Sequence, residues 1–230
     1  AWSYRSIGAR VWMLDLGRSF EKLCKKAGGT YIEFRSDSKI NLNPFSVVTD
    51  ERVAADGTVE GGINEDIDML KPALAKMCSM GWTLEEVQLK ALGAMALKLY
   101  KEYGRDLTIT GLRDALKTGS MPELGLNGDQ RVKDLAVMLN PYTRDGEYAR
   151  FFEGRNNIDF SNDFMVIENE ELKRKPELHA VVNILLLHQI TGEMYLTRNR
   201  RKVLFIDELK QQLGDIGADD PVKAAVVEEA

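Results

Sequence analysis

Near the end of the chain, four consecutive apolar residues run directly into two adjacent acids. Residues 203–206 read VLFI and are followed by Asp207 and Glu208, within the stretch RKVLFIDELKQQL. A strand that is apolar on both faces is typical of a parallel sheet that helices cover on both sides. We therefore expect residues 203–206 to form a buried strand in the middle of a parallel sheet, with both carboxylates at its carboxyl end.

Other segments support a parallel sheet. ARVWML ends at Asp15, TYIEF spans residues 30–34, and the helical segment FEKLCKKA lies between them. Ser19 is placed to cap that helix. A strand–helix–strand unit favours parallel strands joined by a helical crossover. FMVIENEEL, from residue 164 onward, returns to the strand pattern, so the sequence predicts an α/β core.

A block without strand pattern interrupts this core. Apolar residues recur at helical spacing from residue 63, and Thr83 with Glu86 matches a capping box that would begin the next helix. The sequence therefore predicts an inserted all-α subdomain at residues 63–155. Residues 1–62 would form the first part of the α/β core, and residues 156–230 the remainder.

Composition excludes several classes of protein. The net charge of −5 over 230 residues argues against a large surface that wraps nucleic acid. Cys24 and Cys78 lie far apart and match no zinc or disulfide pattern. The most apolar run, AVVNILLLHQI, is too short to cross a bilayer.

The acid pair has a chemical interpretation. Ligands of parallel sheets bind outside the carboxyl ends of the strands. In a P-loop NTPase, an Asp at this position (Walker B) holds Mg²⁺ and the Glu after it polarises the attacking water. We predict Asp207 as the metal ligand and Glu208 as the catalytic residue. The alternative, in which both acids cap a helix or lie solvated in a loop, stays open on the residues alone.

Asp15 also ends a strand of buried type. In a functional role it would lie near the phosphates of the cofactor or at a subunit boundary, and in a structural role it would cap the turn DLGRS that follows it. Both interpretations fit the sequence.

The phosphate-binding motif G-x-x-x-x-G-K-[ST] does not occur in these residues. AWSYRSIGARVW at the start reads like the end of a helix that enters a strand. We expect a fragment of a longer protein with its P-loop before Ala1, and we expect the isolated fragment to be inactive.

Four segments, in this order, resemble the TraC-type ATPase family of conjugative and type IV secretion systems. They are VWMLDLGRSFEKLCKKAGGTYIEF, INLNPF, YTRDGEYARFFEGRNNIDF and KVLFIDELKQQL. The first carries the family's Asp-x-Gly-x-Ser turn, and the last resembles its Walker B motif. The family commonly has Ala-Trp after the acid pair, where this chain has Leu209 and Lys210.

The resemblance implies a RecA-like P-loop NTPase core with ATP and Mg²⁺ as cofactors. It assigns Mg²⁺ support to Asp207 and water activation to Glu208. It further implies a homo-hexamer at the cytoplasmic face of the bacterial inner membrane, working with type IV secretion channel components on a DNA or relaxase substrate.

Two alternatives remain at this stage. The helical block could be an interaction module that docks secretion or DNA-transfer partners. The chain could also belong to a DNA-pumping ATPase of the HerA/FtsK kind, which its acidic net charge disfavours.

Overall fold

A computed structural model of the chain describes residues 1–35, 37–53, 59–79, 83–196 and 200–207. The chain divides into two compact units. The first contains Ala1–Ser38 and the described part of Asp159–Ala230, and the second is Lys39–Ile158.

The strands, in chain order, are β1 (Arg10–Asp15), β2 (Thr30–Glu33), β3 (Arg52–Val53), β4 (Val59–Glu60), β5 (Phe164–Glu168) and β6 (Lys202–Ile206). The α-helices are α1 (Trp2–Ser6), α2 (Glu21–Lys26), α3 (Ile63–Ser79), α4 (Glu86–Tyr103), α5 (Ile109–Leu116), α6 (Gln130–Leu139), α7 (Ala149–Phe152) and α8 (Pro176–Leu196). Among these helices, none is both long enough and apolar enough to cross a membrane.

The first unit is built on a four-stranded sheet with the order β2-β5-β1-β6. All three neighbouring pairs are parallel, so the carboxyl ends of the four strands lie along one edge of the sheet. β5 is buried along its whole length, and β1 is buried except at Arg10. The two middle strands are therefore the ones whose apolar side chains fill the core.

Among the described strands, residues 203–206 lie at the edge of the sheet rather than in the middle, where the sequence predicts them. Of the described strands, only β1 pairs with β6, and the side chains of β6 are half-buried. After β5 the chain passes through α8 and enters the sheet again on the far side of β1. β1 therefore lies between β5 and β6. The apolar run predicted a parallel strand, but local composition does not determine strand order.

The second unit is mainly helical, with a short antiparallel pair formed by β3 and β4. The apolar residues that predict α3 are all buried, namely Ile63, Ile67, Leu70, Leu74 and Met77. The predicted capping box of Thr83 and Glu86 is wrong by two residues. Glu85 is the N-cap of α4 and exchanges the capping-box hydrogen bonds with Gln88, because Glu85 has the extended backbone that an N-cap requires.

The second unit begins at Lys39, upstream of the helical block at residues 63–155. Asn43 explains why the segment INLNPF belongs to it. The side chain of Asn43 is fully buried, and its Nδ2 donates to the backbone oxygens of Leu107 and Gly154 at 2.8 Å each. Its Oδ1 accepts from the Phe45 amide at 3.0 Å. One amide side chain thus holds three segments of the unit together.

Replacing Asn43 by Ala is expected to lower the free energy of unfolding by about 3 kcal/mol, because the change leaves buried backbone groups without hydrogen-bond partners. Denaturant unfolding of the whole chain measures this loss. Asn64→Ala is the matched control, since Asn64 is exposed in α3 and surface changes usually cost less than about 0.5 kcal/mol. Equal stability of the two variants would contradict the role given to Asn43.

Candidate nucleotide site at the carboxyl edge of the sheet

All four strands of the parallel sheet end in an acid. Asp15, Glu33 and Glu168 are the last residues of β1, β2 and β5, and Asp207 follows β6 directly. The register places Glu168 beside both Asp15 and Glu33. The Asp207 amide donates to the Leu14 oxygen at 2.9 Å, so Asp207 continues the row beyond Asp15. We call these residues, in the order Glu33, Glu168, Asp15 and Asp207, the acidic row.

Asp15 holds the turn that follows β1. Its side chain is fully buried. One carboxylate oxygen accepts from the Leu16 amide and the other from the Phe20 amide, both at 2.9 Å. This is the turn-capping geometry that was one of the two interpretations of Asp15. The same bonds correct the assignment of Ser19, because the N-cap of α2 is Phe20 and no side chain caps the helix.

Glu168 was not identified from the sequence. It is only 2% exposed, and its carboxylate accepts from the amides of Arg18 at 2.5 Å, Glu170 at 2.7 Å and Gly17 at 3.5 Å. Burial raises the pKa of Glu168, as does the neighbouring Asp15, while the three amides act in the opposite direction. Glu168 therefore supports the same turn as Asp15, from the neighbouring strand.

Glu33 is engaged by a side chain instead. A guanidinium nitrogen of Arg18 lies 2.5 Å from Glu33 and 3.9 Å from Glu171. The Arg18 side chain is half exposed, and its backbone has a positive φ of 59°. Arg18 thus compensates the charge of Glu33, which lies at the opposite end of the acidic row from Asp207.

Asp207 differs from the other three acids. It is half-buried, and within the part of the chain that the structure describes, no side-chain hydrogen bond or ion pair engages its carboxylate. Glu208, the predicted catalytic residue, lies outside the described residues. Among the described residues, Asp207 is therefore the acid of the row whose carboxylate is not already engaged.

No cluster of three or more metal-ligating side chains occurs among the described residues. Mg²⁺ in a nucleotide site does not require such a cluster, because it is usually held by one or two carboxylates together with substrate phosphates. The carboxylate of Asp207 is a hard oxygen ligand at the edge of the sheet where ligands bind. The residues present therefore fit Mg²⁺ delivered with a nucleotide.

A parallel α/β sheet with helical crossovers, whose strand β6 is followed by Asp207 and, in the sequence, by Glu208, has the pattern expected of a P-loop ATPase core. A sequence model of the TraG P-loop domain matches residues 1–101 and 114–223. The chain belongs to that family. This confirms the predicted α/β P-loop core and the family resemblance.

Individual relatives agree. The chain is 27% identical over 208 residues to Protein TraC of Escherichia coli (strain K12), covering 87% of this chain and 22% of TraC. The chain thus spans about a fifth of the length of this relative. The structure of VirB4 of Thermoanaerobacter pseudethanolicus matches with a TM-score of 0.72 at 19% identity, over 96% of this chain and 81% of that one.

A second solved structure has the same fold. The plasmid coupling protein TrwB, in complex with the non-hydrolysable ATP analogue ADPNP, matches with a TM-score of 0.54 at 14% identity. The match covers 93% of this chain and 54% of TrwB.

Proposed function

We propose that this chain is part of the ATPase motor domain of a conjugative or type IV secretion protein. In this proposal the motor hydrolyses ATP to power pilus assembly or substrate transfer, and the chain supplies the Walker B half of its site. The observation that carries the proposal is the difference in side-chain partners between Asp207 and the other three acids of the acidic row. The other three acids are engaged by backbone amides or by Arg18, whereas Asp207 has no side-chain partner among the described residues.

Asp207 is the proposed metal ligand. Asp207 would hold Mg²⁺ that arrives with ATP, and the ion would supply charge neutralisation during phosphoryl transfer. A carboxylate at the strand end orients that ion directly or through its water shell. Asp15 has both carboxylate oxygens occupied by amides, so we propose that it supports the cofactor site by fixing the turn.

Glu208 is the proposed general base. Its place directly after Asp207 puts a second carboxylate close to the metal ligand. A base in this place polarises the water that attacks the γ-phosphate.

The phosphate cradle has to come from outside these residues, since they contain no G-x-x-x-x-G-K-[ST] motif. β6 offers a place for it. The strand is an edge strand among those described, and its apolar side chains are half-buried. An apolar edge strand is normally paired or covered in a finished fold. A further strand that pairs with β6 would bring its own carboxyl end beside Asp207.

Family membership and the likeness to TraC support the wider setting of the proposal. In it, the full-length protein forms a homo-hexamer at the cytoplasmic face of the bacterial inner membrane. It acts there with type IV secretion channel components, on a DNA or relaxase substrate. Size-exclusion chromatography with light scattering tests the hexamer, and a monomer in the presence of ATP and Mg²⁺ would contradict it.

The isolated 230-residue chain is expected to show no measurable ATP hydrolysis, whereas the full-length protein hydrolyses ATP. The reason is that Asp207 and Glu208 act on a triphosphate that the chain alone does not hold. Phosphate release with and without Mg²⁺ measures both proteins. Turnover by the isolated chain at the rate of the full-length protein would contradict the proposal that the phosphate cradle lies outside these residues.

A further inference from the structure

Glu168 is a buried acid at the carboxyl edge that the proposed chemistry does not use. Glu168 ends β5, and β1 lies between β5 and the strand that Asp207 follows. Asp15, at the end of β1, therefore lies between the two acids. A buried carboxylate is costly unless it is hydrogen-bonded. Three backbone amides compensate Glu168, two of which belong to the turn after β1.

That turn has an unusual backbone. Gly17 has a φ of 110° and Arg18 a φ of 59°, and non-glycine residues rarely adopt positive φ. Glu168 receives the amides of these two residues, and Asp15 receives those of Leu16 and Phe20. Hydrogen bonds to ionised acceptors are stronger than neutral ones. The two carboxylates therefore hold the turn in a conformation that its own backbone does not favour.

The turn is coupled directly to Asp207. Residue 207 is anchored by its amide to the oxygen of Leu14, the residue before Asp15. We infer that a displacement of the turn is passed through Asp15 and Leu14 to the main chain at Asp207. Misplacing a group that orients a reacting centre by about 1 Å can cost about 10²-fold in rate.

A second contact fixes the end of β5 from the other side. Asn169, next to Glu168, donates to Asn183 of α8 at 2.6 Å, and Asn183 in turn contacts His179 at 3.2 Å. All three side chains are buried. The position of Glu168 is thus set by the helix as well as by the sheet.

We propose that Glu168 is a positioning residue of the nucleotide site, which holds the turn at residues 15–20 so that Asp207 meets the metal of the bound nucleotide. This inference rests on the proposed function. Residues that orient a metal ligand typically change metal affinity or activity by about 10–100-fold when they are replaced.

The test uses the full-length protein with ATP and Mg²⁺. Glu168→Gln keeps the size of the side chain but turns an amide donor toward a backbone N–H. We expect kcat to fall about 10–100-fold and half-maximal turnover to require about 10–100-fold more Mg²⁺. Glu170→Gln is the matched control, because Glu170 is exposed and contributes only its backbone amide; its kinetics should match the wild type.

A second pair of variants keeps the test decisive if Glu168→Gln folds poorly. Gly17→Ala and Gly8→Ala each add a methyl group into open space at positive φ, 110° and 84°. Both strain a turn, but Gly8 precedes β1, at the opposite end of the sheet from the acidic row. We expect only Gly17→Ala to raise the Mg²⁺ requirement, although both lower the melting temperature.

The outcomes separate this inference from the proposed function. If Asp207→Asn abolishes Mg²⁺-dependent turnover while Glu168→Gln and Gly17→Ala keep the wild-type kcat and Mg²⁺ requirement, the positioning role is overturned and the proposed function stands. If the melting temperature falls in both glycine variants alike and neither changes its Mg²⁺ response, the turn is merely structural. If the wild type shows no ATP turnover, or if Asp207→Asn leaves that turnover unchanged, the proposed function itself fails.

Discussion

Asp207→Asn in the full-length protein is expected to lower ATP turnover about 10³-fold and to weaken nucleotide binding in the presence of Mg²⁺. The amide keeps the size of the side chain and removes its charge. Metal ions contribute several kcal/mol of charge stabilisation in such reactions, and about 4 kcal/mol corresponds to this loss in rate. Asp207 has no described side-chain partner that its replacement would leave unpaired, so folding stability should change little.

Phosphate release and the binding of a fluorescent ATP analogue at several Mg²⁺ concentrations measure the effect. Asp68→Asn is the matched control, because Asp68 is exposed in α3 and pairs with Lys71 on the same helix. Nucleotide affinity that depends on Mg²⁺ equally in the wild type and in Asp207→Asn would remove Asp207 from the metal site.

Glu208→Gln should give a different defect. We expect turnover to fall by about 10²–10⁴-fold, the usual loss when a general base is removed. ATP and Mg²⁺ should still bind, because Asp207 and the phosphate cradle remain. The variant should therefore accumulate bound ATP rather than ADP.

Rapid separation of the protein from free nucleotide, followed by chromatography of the bound fraction, measures this ratio. Glu86→Gln is a suitable control, since Glu86 is exposed and pairs with Lys90 within α4. Turnover by Glu208→Gln at the wild-type rate would exclude Glu208 as the base. A loss of ATP binding together with turnover would assign Glu208 to the metal instead.

Strand identity was predictable from the sequence, whereas strand order was not. The segments ARVWML, TYIEF, FMVIENEEL and VLFI each contain all or most of a strand of the sheet, because β-branched and aromatic residues fit a pleated and buried surface. The order β2-β5-β1-β6 depends on crossovers through distant parts of the chain. A run that is apolar on both faces is compatible with a middle strand and with an edge strand that a further segment covers.

Glu168 shows the same limit at the candidate site. Its strand reads FMVIE, and those of Asp15 and Glu33 read RVWMLD and TYIE, so an acid at the end of each strand was a visible signal. The sequence does not reveal that β5 lies between β1 and β2, more than a hundred residues away in the chain. Only that adjacency turns Glu168 toward the amides of Gly17 and Arg18.

The turn after β1 was predicted only in part, because the sequence pattern there is local. Asp15 was identified because it ends a strand of buried type and precedes the turn DLGRS, which an Asp can cap. Ser19 was assigned as the helix cap because its residue type favours that position, but α2 begins one residue later, with Phe20 as its N-cap.

A structure of the full-length protein with Mg²⁺ and a non-hydrolysable ATP analogue tests the central claim most directly. We predict one metal ion between the β- and γ-phosphates, with the Asp207 carboxylate about 2.1 Å from it, or about 4 Å away if a water lies between them. A metal–nucleotide complex bound away from the carboxyl edge of the sheet, with the Asp207 carboxylate turned from it, would contradict the claim.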